Sequence, residues 1–499
     1  MFAVVVALIF TVGQIKGDRS NHFLRMGSKK FTESVILEEL AAQLGESAGA
    51  TVLRRQELGG TRLLWNALNS GEIDLYPEYS GTLAHEIFQN GVVEGDTAIE
   101  SELSKRGLQM SRSLGFSNRY ALGMLREKSE GLGVKTISDL VGQTALRFGF
   151  SDEFLNRKDG WPGLQAAYKF EPSNVRGIDH DLAYKGLADG SIDVIDLYTT
   201  DAEVAYYNIQ ILRDDLRYFS DNEALFLYRA DIAKSEPEAL SSILRLQGRI
   251  DDQAMIGMNG EVKIRRRTEK EVAGEFLASK FGVKSDQPKH GVVSRIFQRT
   301  IEHLRLTSVS LAAAIVVAVP LGVIAAKRAA AGQIILAIVS VLQTIPSLAL
   351  LVFMVPFLGI GAPPAIAALF LYSLLPIVRN TASGLTNIPP SIRNSSIALG
   401  LTPAQRLRLI ELPLASPSIL DGLKIAAVIN VGTATLGALI GAGGYGQPIF
   451  TGVRLDDFGL ILEGAIPAAL LALSVQWLFQ ASERYLIPKG LRVKPNQSI

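Results

Sequence analysis

The sequence predicts a multidomain chain of two fold classes: an α/β domain of two lobes, then an all-α membrane domain. Three observations carry this. First, composition changes along the chain: it is charged and mixed up to about Gln298, and charge becomes scarce from about Leu306. Second, short strands alternate with helices in the first part, and the alternation restarts once. Third, no charged residue lies between Leu306 and Ala326, Ala329 and Val378, Ile425 and Val453, or Gly464 and Ser482. Stretches this long and apolar are membrane spans. A length of 499 residues also points to more than one domain.

Taken in order, Phe2–Val12 is an apolar run of signal-peptide length with no Lys or Arg before it, so residues 1–20 read as a signal-like or anchor segment. Phe23–Ser28 is predicted to be a strand leading into a helix over Glu33–Leu44, whose apolar positions are Val35, Ile36, Leu40 and Leu44. Thr51–Arg54 is a second strand. A helix from Gly59-Gly60-Thr61 to Leu68 follows, then a third strand, Ile73–Tyr76, ending at Pro77. The pattern restarts with a strand at Tyr120–Leu125, a helix opening at Ile137–Leu140, a strand at Thr144–Phe148, a helix at Leu182–Ala188 and a strand at Asp193–Leu197. Ala224–Tyr228 is a strand returning to the first lobe. Strands alternating with helices build parallel sheets, and loops at the carboxyl ends of the strands face the cleft between lobes.

Composition excludes several functions. There is no cysteine, hence no disulfide, thiol chemistry or Cys-ligated metal. The five histidines show no metal-ligand spacing, and His180, between Asp179 and Asp181, reads as a solvated turn. No GxxxxGK[ST] loop occurs, so the chain has no Walker-type ATP site of its own. No basic stripe or motif points to nucleic acid. Nothing calls for a cofactor or metal.

The predicted cleft loops carry a distinctive set: Ser28, Phe31, Thr32 and Glu33; Tyr76 to Thr82; Asn118, Arg119 and Tyr120; Tyr198, Thr199, Thr200 and Asp201; and Tyr218 to Asn222. A single tyrosine at such a place is an ordinary half-buried aromatic. The whole set, aromatic rings beside small hydroxyl and amide residues, suits a cation that cannot donate hydrogen bonds, because ring faces attract quaternary ammonium.

The runs Gly27-Ser28-Lys29-Lys30-Phe31-Thr32-Glu33-Ser34, Leu58-Gly59-Gly60-Thr61, Gly71 to Thr82 (with Tyr76-Pro77-Glu78-Tyr79) and Asn118 to Leu122 resemble the binding proteins of glycine betaine/carnitine/choline ABC importers. The resemblance covers residues 24–283 and implies a periplasmic-binding-protein-like fold. It implies that Tyr79, Tyr120 and Tyr198 cage a trimethylammonium group and that Thr82 and Thr199 are polar contacts. The family often has an aromatic near Asp221-Asn222, where this chain has none. Either Phe219 substitutes for it or the cage is open on that side, and Phe31 lies on the same set of loops. Ser34 stands where relatives often carry a longer amide. Arg119 is a candidate donor to a ligand carboxylate.

Five spans are assigned: Leu304–Ala326, Gln333–Leu358, Pro363–Val378, Pro417–Ile440 and Phe458–Phe479. Lys327, Arg328, Arg379, Arg393, Arg406, Arg408, Arg484, Lys489, Arg492 and Lys494 fall on one side if spans alternate. That side is cytoplasmic by the positive-inside rule. The soluble domain then lies outside and the C-terminus inside. Pro346, Pro356, Pro376 and Pro467 are expected to kink or break helices. Gly432, Gly437, Gly441, Gly443 and Gly444 are expected to allow close helix approach.

The largest cytoplasmic loop, Asn380–Pro413, reads as two short helices. The first follows Pro389-Pro390 and ends at Leu399-Gly400, with Gly400 in the left-handed cap. The second opens at Thr402, with Pro403 in its first turn and Gln405 three residues after the cap, and Pro413 stops it. Asn394 to Gly400 and Ile410 to Pro413 resemble the coupling loop of ABC importer permeases, EAA…G…I.LP. Gly400, Ile410, Leu412 and Pro413 match, and Asn-Ser-Ser replaces the EAA triplet. The resemblance, over about 300–485, implies a type I ABC importer whose ATPase is a separate subunit docking on Gly400, Thr402, Ile410, Leu412 and Pro413.

The resulting expectation is a binding domain (24–283), a linker (284–299), a permease domain of about five helices (300–486) and a cytoplasmic tail (487–499). It is a transporter subunit, not an enzyme. It works as a homodimer in lipid with an ABC ATPase, and takes up quaternary ammonium osmoprotectants. The alternatives are an ABC importer for amino acids, and a ligand-gated channel or sensor.

Overall fold

A computed structural model describes residues 23–88, 95–283 and 291–486. The N-terminal apolar run, the C-terminal tail and residues 284–290 of the expected linker lie outside these residues. The described residues divide into two compact units, a soluble one over 23–283 and a membrane one over 291–486.

The soluble unit contains two five-stranded sheets. The first is built from β1 (Phe23–Gly27), β2 (Thr51–Arg55), β3 (Leu75–Tyr79), β4 (Leu108–Met110) and β10 (Ala224–Arg229), in the order β2-β1-β3-β10-β4. The second is built from β5 (Tyr120–Leu125), β6 (Phe148–Phe150), β7 (Val175–Gly177), β8 (Val194–Tyr198) and β9 (Ile209–Ile211), in the order β7-β6-β8-β5-β9. The return strand expected at Ala224–Tyr228 therefore joins the first lobe, antiparallel to β3 and β4. The two crossings are stapled together. Asn118 N–H donates to Asn222 O (3.0 Å), and the Asn222 amide donates to Asn118 O (2.8 Å).

Helix α1 (Thr32–Ser47) is buried along nearly its whole length, beyond the one apolar face that periodicity suggests. Two of its buried acids have local partners: Arg54 pairs with Glu39 (2.9 Å), and Gln56 donates to Glu38 and Glu39 (both 2.7 Å). Helix α2 (Thr61–Ser70) follows β2, α3 (Asp152–Asn156) follows β6, α4 (His180–Ala188) follows β7, and α5 (Asp252–Lys263) follows β10. An aromatic cluster that includes Phe148, Phe150, Phe154, Trp161 and Phe170 fills the second lobe.

Three local expectations are corrected. The third strand runs through Pro77 instead of ending there. Phe226, opposite Pro77, spends its own N–H and C=O on Ser111, so this pair needs no bond from proline. The missing N–H points toward β1, whose pairing with β3 is recorded only at Met26–Leu75. The strand expected at Thr144–Phe148 is Phe148–Phe150, because turn bonds occupy Thr144 and Leu146. The helix opening at Ile137 is a single 3-10 turn, Ser138–Leu140.

The membrane unit has α6 (Val292–Lys327), α7 (Ala329–Thr344), α8 (Ser347–Leu358), α9 (Ala362–Thr386), α10 (Pro390–Ala398), α11 (Pro403–Arg406), α12 (Leu412–Thr433), α13 (Gly446–Arg454) and α14 (Phe458–Leu486). Among the described residues, four continuous segments are long and apolar enough to cross a membrane: those of α6, α9, α12 with its flanking turns, and α14. The second expected span is not one helix. It breaks between α7 and α8 with a bend of 98°. Pro346 opens α8, and the Tyr372 hydroxyl donates to the freed Ile345 carbonyl. Helix α9 is the central element. A Cβ on Gly322 of α6 would meet Thr381 at 2.5 Å, and one on Gly422 of α12 would meet Asn380 at 2.8 Å. Of the glycines expected to allow close approach, Gly443 and Gly444 do so against Glu302 and His303 of α6 (2.6 and 3.0 Å from an added Cβ), whereas Gly432 has nothing within 4 Å.

Pro413 does not stop the second loop helix. After α11 a π turn (Leu407–Glu411) carries the chain straight into α12, where Pro413 occupies the first turn. The wider π turn before it makes room for the proline ring and its missing N–H within a continuous helical segment.

Candidate functional site

The cleft of the soluble unit gathers loops from both sheets around one buried carboxylate, Glu33. It sits in the first turn of α1, where the helix dipole favours an anion. Its Oε1 accepts from the Tyr79 hydroxyl (2.5 Å) and the Asn118 amide (2.7 Å). Its Oε2 accepts from the Thr200 hydroxyl (2.6 Å) and the Asn259 amide (3.1 Å). Burial pushes its carboxyl above the usual range, and these four neutral donors pull it back. Glu33 thus ties β3, the first crossing, the loop after β8 and α5 to α1.

The aromatic groups stand beside this hub. The register of β5 against β8 places Tyr120 opposite Tyr198. Their rings stack at 4.9 Å and their hydroxyls are 3.2 Å apart. Phe31 meets Tyr198 edge-on at 6.1 Å. Tyr79 lies across the cleft with its hydroxyl committed to Glu33. Protein cations already sit over two of the rings: Lys29 Nζ is 5.4 Å from the Tyr79 centroid, and the Arg157 guanidinium is 5.7 Å from that of Tyr120. Acids balance them, the buried Glu78 for Lys29, and the half-buried Glu86 (2.8 Å) and Asp159 (2.6 Å) for Arg157. Glu153 lines the same pocket half-buried, with no hydrogen bond or ion pair to any described residue.

Of the residues singled out in the sequence, Phe31, Tyr79, Thr82, Tyr120 and Tyr198 line this one pocket. Three do not. The Thr199 hydroxyl accepts from Arg119 N–H (3.1 Å) and donates to Ser117 O (3.3 Å), so it braces the crossing. Phe219 packs on Tyr120 at 6.3 Å and on Phe154 at 6.2 Å, as part of the core. Arg119 turns outward to the exposed Asp221 (3.1 Å). The guanidinium in the pocket is Arg157, which no pattern in Asp152–Arg157 marked in advance.

His180 is the clearest miss. It is buried, not a solvated turn. Asp179 caps α4, which turns His180 inward at the first helical position. Its Nε2 lies 3.0 Å from Asp201, which also accepts from the Tyr184 hydroxyl (2.6 Å) and Tyr198 N–H (2.8 Å). Burial works against the imidazolium. The Asp201 charge and hydrogen bond, with Asp196 behind, outweigh it and hold His180 protonated to about 9. Asp201 is correspondingly held down to about 2. A histidine raised above its ordinary 6.5 contributes its full stability below that value and loses it as pH rises through about 9. We expect thermal stability of the purified chain to fall between about pH 7 and 10, and His180→Gln to flatten that step. Calorimetry across this range checks it.

In the membrane unit the loop expected at Asn380–Pro413 forms a helical hairpin. Gly400 joins its halves with φ +74°, and Thr402 and Gln405 form a reciprocal capping box on α11. Ile397 and Leu399 are exposed at its tip, beside Gly400, and Leu409 is exposed nearer its root. Ile410, Leu412 and Pro413 lie at its root, half-buried at the start of α12.

Residues 23–279 match the family described as the substrate binding domain of ABC-type glycine betaine transport systems, and residues 318–489 match the binding-protein-dependent transport system inner membrane component. The chain belongs to these families. It joins the binding and permease components of an ABC importer in one polypeptide, and ATP hydrolysis in such importers belongs to a separate subunit. It is similar to the choline transport system permease protein OpuBB of Bacillus subtilis, 40% identical over 197 residues, 40% of this chain and 91% of the relative. It is also similar to the ergothioneine transport permease/ergothioneine binding protein EgtU of Helicobacter pylori, 31% identical over 259 residues, 51% of this chain and 47% of the relative. A solved glycine betaine/carnitine/choline ABC transporter structure is 26% identical with a TM-score of 0.45, covering 51% of this chain and 98% of its own.

Proposed function

We propose that residues 24–283 capture quaternary ammonium osmoprotectants of the choline, carnitine and glycine betaine class, and that residues 300–486 carry them across the inner membrane. The observation that carries this reading is the stacked Tyr120–Tyr198 pair with Phe31 and Tyr79 in one pocket, two of whose rings already attract cations. Glu153 adds an uncompensated negative charge beside the ring pair. For a ligand that also has a carboxylate, Thr82, Lys29 and Arg157 are the donors, in place of Arg119. The test is calorimetry of the purified chain with choline, glycine betaine, carnitine, ergothioneine and proline. Binding of one or more trimethylammonium compounds with none of proline is the expected result, and no binding by any of them overturns the assignment.

The binding domain lies outside, and the hairpin and C-terminus lie in the cytoplasm. Charge placement supports this orientation. Because the chain has no cysteine, Ser294→Cys and Gln405→Cys each carry a single thiol. An impermeant maleimide is expected to label the first in intact cells and the second only after permeabilisation; the reverse pattern inverts the topology. Five spans or fewer are too few to enclose a pathway. Two copies of the chain therefore pair in the bilayer, with two ATPase subunits on the hairpins. The exposed apolar side chains of α14, such as Leu470, Leu473 and Trp477, suit lipid and a second copy.

A further inference from the structure

The sole acid of the Asn380–Pro413 loop is Glu411, and it is almost completely buried. Three cations from three separate elements converge on it. Lys327, the last residue of α6, places Nζ 3.3 Å from Oε2. Arg406 of α11 places Nε 3.2 Å from Oε1, and Arg393 of α10 places Nε 3.7 Å from the same oxygen. The Arg393 guanidinium also donates to the Leu385 carbonyl in the last turn of α9, at 2.7 Å. Glu411 itself closes the π turn that leads into α12. One carboxylate therefore links both hairpin helices to the ends of three membrane-crossing helices.

We propose that Glu411 is a positioning residue for transport: it clamps the hairpin to α6, α9 and α12, so that displacement of the hairpin moves these helices as one body. Among the described residues, the buried Glu411 carboxylate is the counter-charge that these three cations share. Without it the cations repel one another, and the hairpin keeps only its apolar root, where Leu407 packs against Leu385, Ile388 and Ala415. The tip is untouched by the change, since Ile397 and Leu399 beside Gly400 are exposed and take no part in the ion pairs of Glu411. Contact with an ATPase and transmission of its motion are thus carried by different residues. The inference rests on the hairpin being the ATPase contact.

The test uses the full chain with its ATPase subunit in proteoliposomes. Glu411→Gln is expected to retain the ATPase on co-purification, to keep ligand binding within twofold and ATP hydrolysis within about threefold, and to lower uptake at least tenfold, so that ATP spent per solute rises. Glu411→Asp is expected to recover part of the uptake. Labels at Leu399→Cys and Val316→Cys report the same event by electron spin resonance, as a narrow distance distribution that broadens with Glu411→Gln. Unchanged uptake per ATP together with an unchanged distribution overturns the proposal. If Glu411→Gln does not fold, Arg406→Gln removes one arm of the clamp and is expected to shift both readouts in the same direction; no shift then overturns it. A spin label at Leu399→Cys that is insensitive to the ATPase refutes the hairpin as the contact, whatever Glu411 does.

Discussion

Tyr198→Ala is expected to weaken binding of choline or glycine betaine by about 2 kcal/mol, roughly 30-fold, with little change in thermal stability. The ring is chosen for what surrounds it. It stacks on Tyr120, and it touches Phe31 at 6.1 Å and His180 at 5.0 Å. Removing it deletes one ring face and frees its neighbours to reorient. The hydroxyl matters much less, because its recorded bond is to the Tyr120 hydroxyl at 3.2 Å. Tyr198→Phe is therefore expected to stay within about threefold of the parent, since a neutral bond nets only about 1 kcal/mol. Tyr79→Ala should behave differently. It leaves the buried Glu33 carboxylate one donor short, so it lowers the melting temperature as well as the affinity. Calorimetry on the three variants, with the exposed Tyr206→Ala as control, separates these outcomes. Equal affinity in Tyr198→Ala and the parent would remove the aromatic pair from the site.

The contrast between Tyr198 and His180 shows what could be read from the chain alone. The strand ends at Tyr79, Tyr120 and Tyr198 follow from alternation and turn residues, and a lobed α/β fold brings such ends to one cleft. Partner choice does not follow. Thr199 and Thr200 are neighbours with similar chemistry, but the turn that follows β8 sends one hydroxyl to the crossing and the other to Glu33. Arg119 and Arg157 are equally basic, and only tertiary packing decides which of them faces the rings. His180 read as solvent-exposed because two acids flank it; the acid that matters, Asp201, lies 21 residues away. In the membrane unit apolar stretches marked the spans. Pro346 marked the break between α7 and α8, but its 98° angle and the Tyr372 hydroxyl that satisfies the Ile345 carbonyl could not be read from composition, nor could the π turn that carries the chain through Pro413.

Substitutions at Gly400 are expected to abolish uptake in order of how poorly each residue tolerates positive φ. Nothing lies within 4 Å of a Cβ built at Gly400, so an added side chain meets no neighbour. The effect must come from the backbone, held at φ +74° between the two hairpin helices. Asparagine adopts that conformation readily, alanine does so at about 1 kcal/mol, and valine at 1–2 kcal/mol or more, roughly, because its branched Cβ crowds the carbonyl. Gly400→Asn should keep most uptake, Gly400→Ala should lose part, and Gly400→Val should lose at least tenfold. Ligand affinity should be unchanged in all three, because the binding site belongs to the other unit. Uptake assays beside calorimetry on the same preparations provide the check. A flat series would mean that the turn between the helices is not needed in one geometry. A series ordered by side-chain size, with Asn worse than Ala, would instead mean that a partner subunit packs against the glycine face. The order Asn, Ala, Val distinguishes backbone geometry from surface contact. That distinction matters most in a chain whose coupling loop carries Asn394-Ser395-Ser396 on the helix before this turn and keeps its one acid, Glu411, buried at the root.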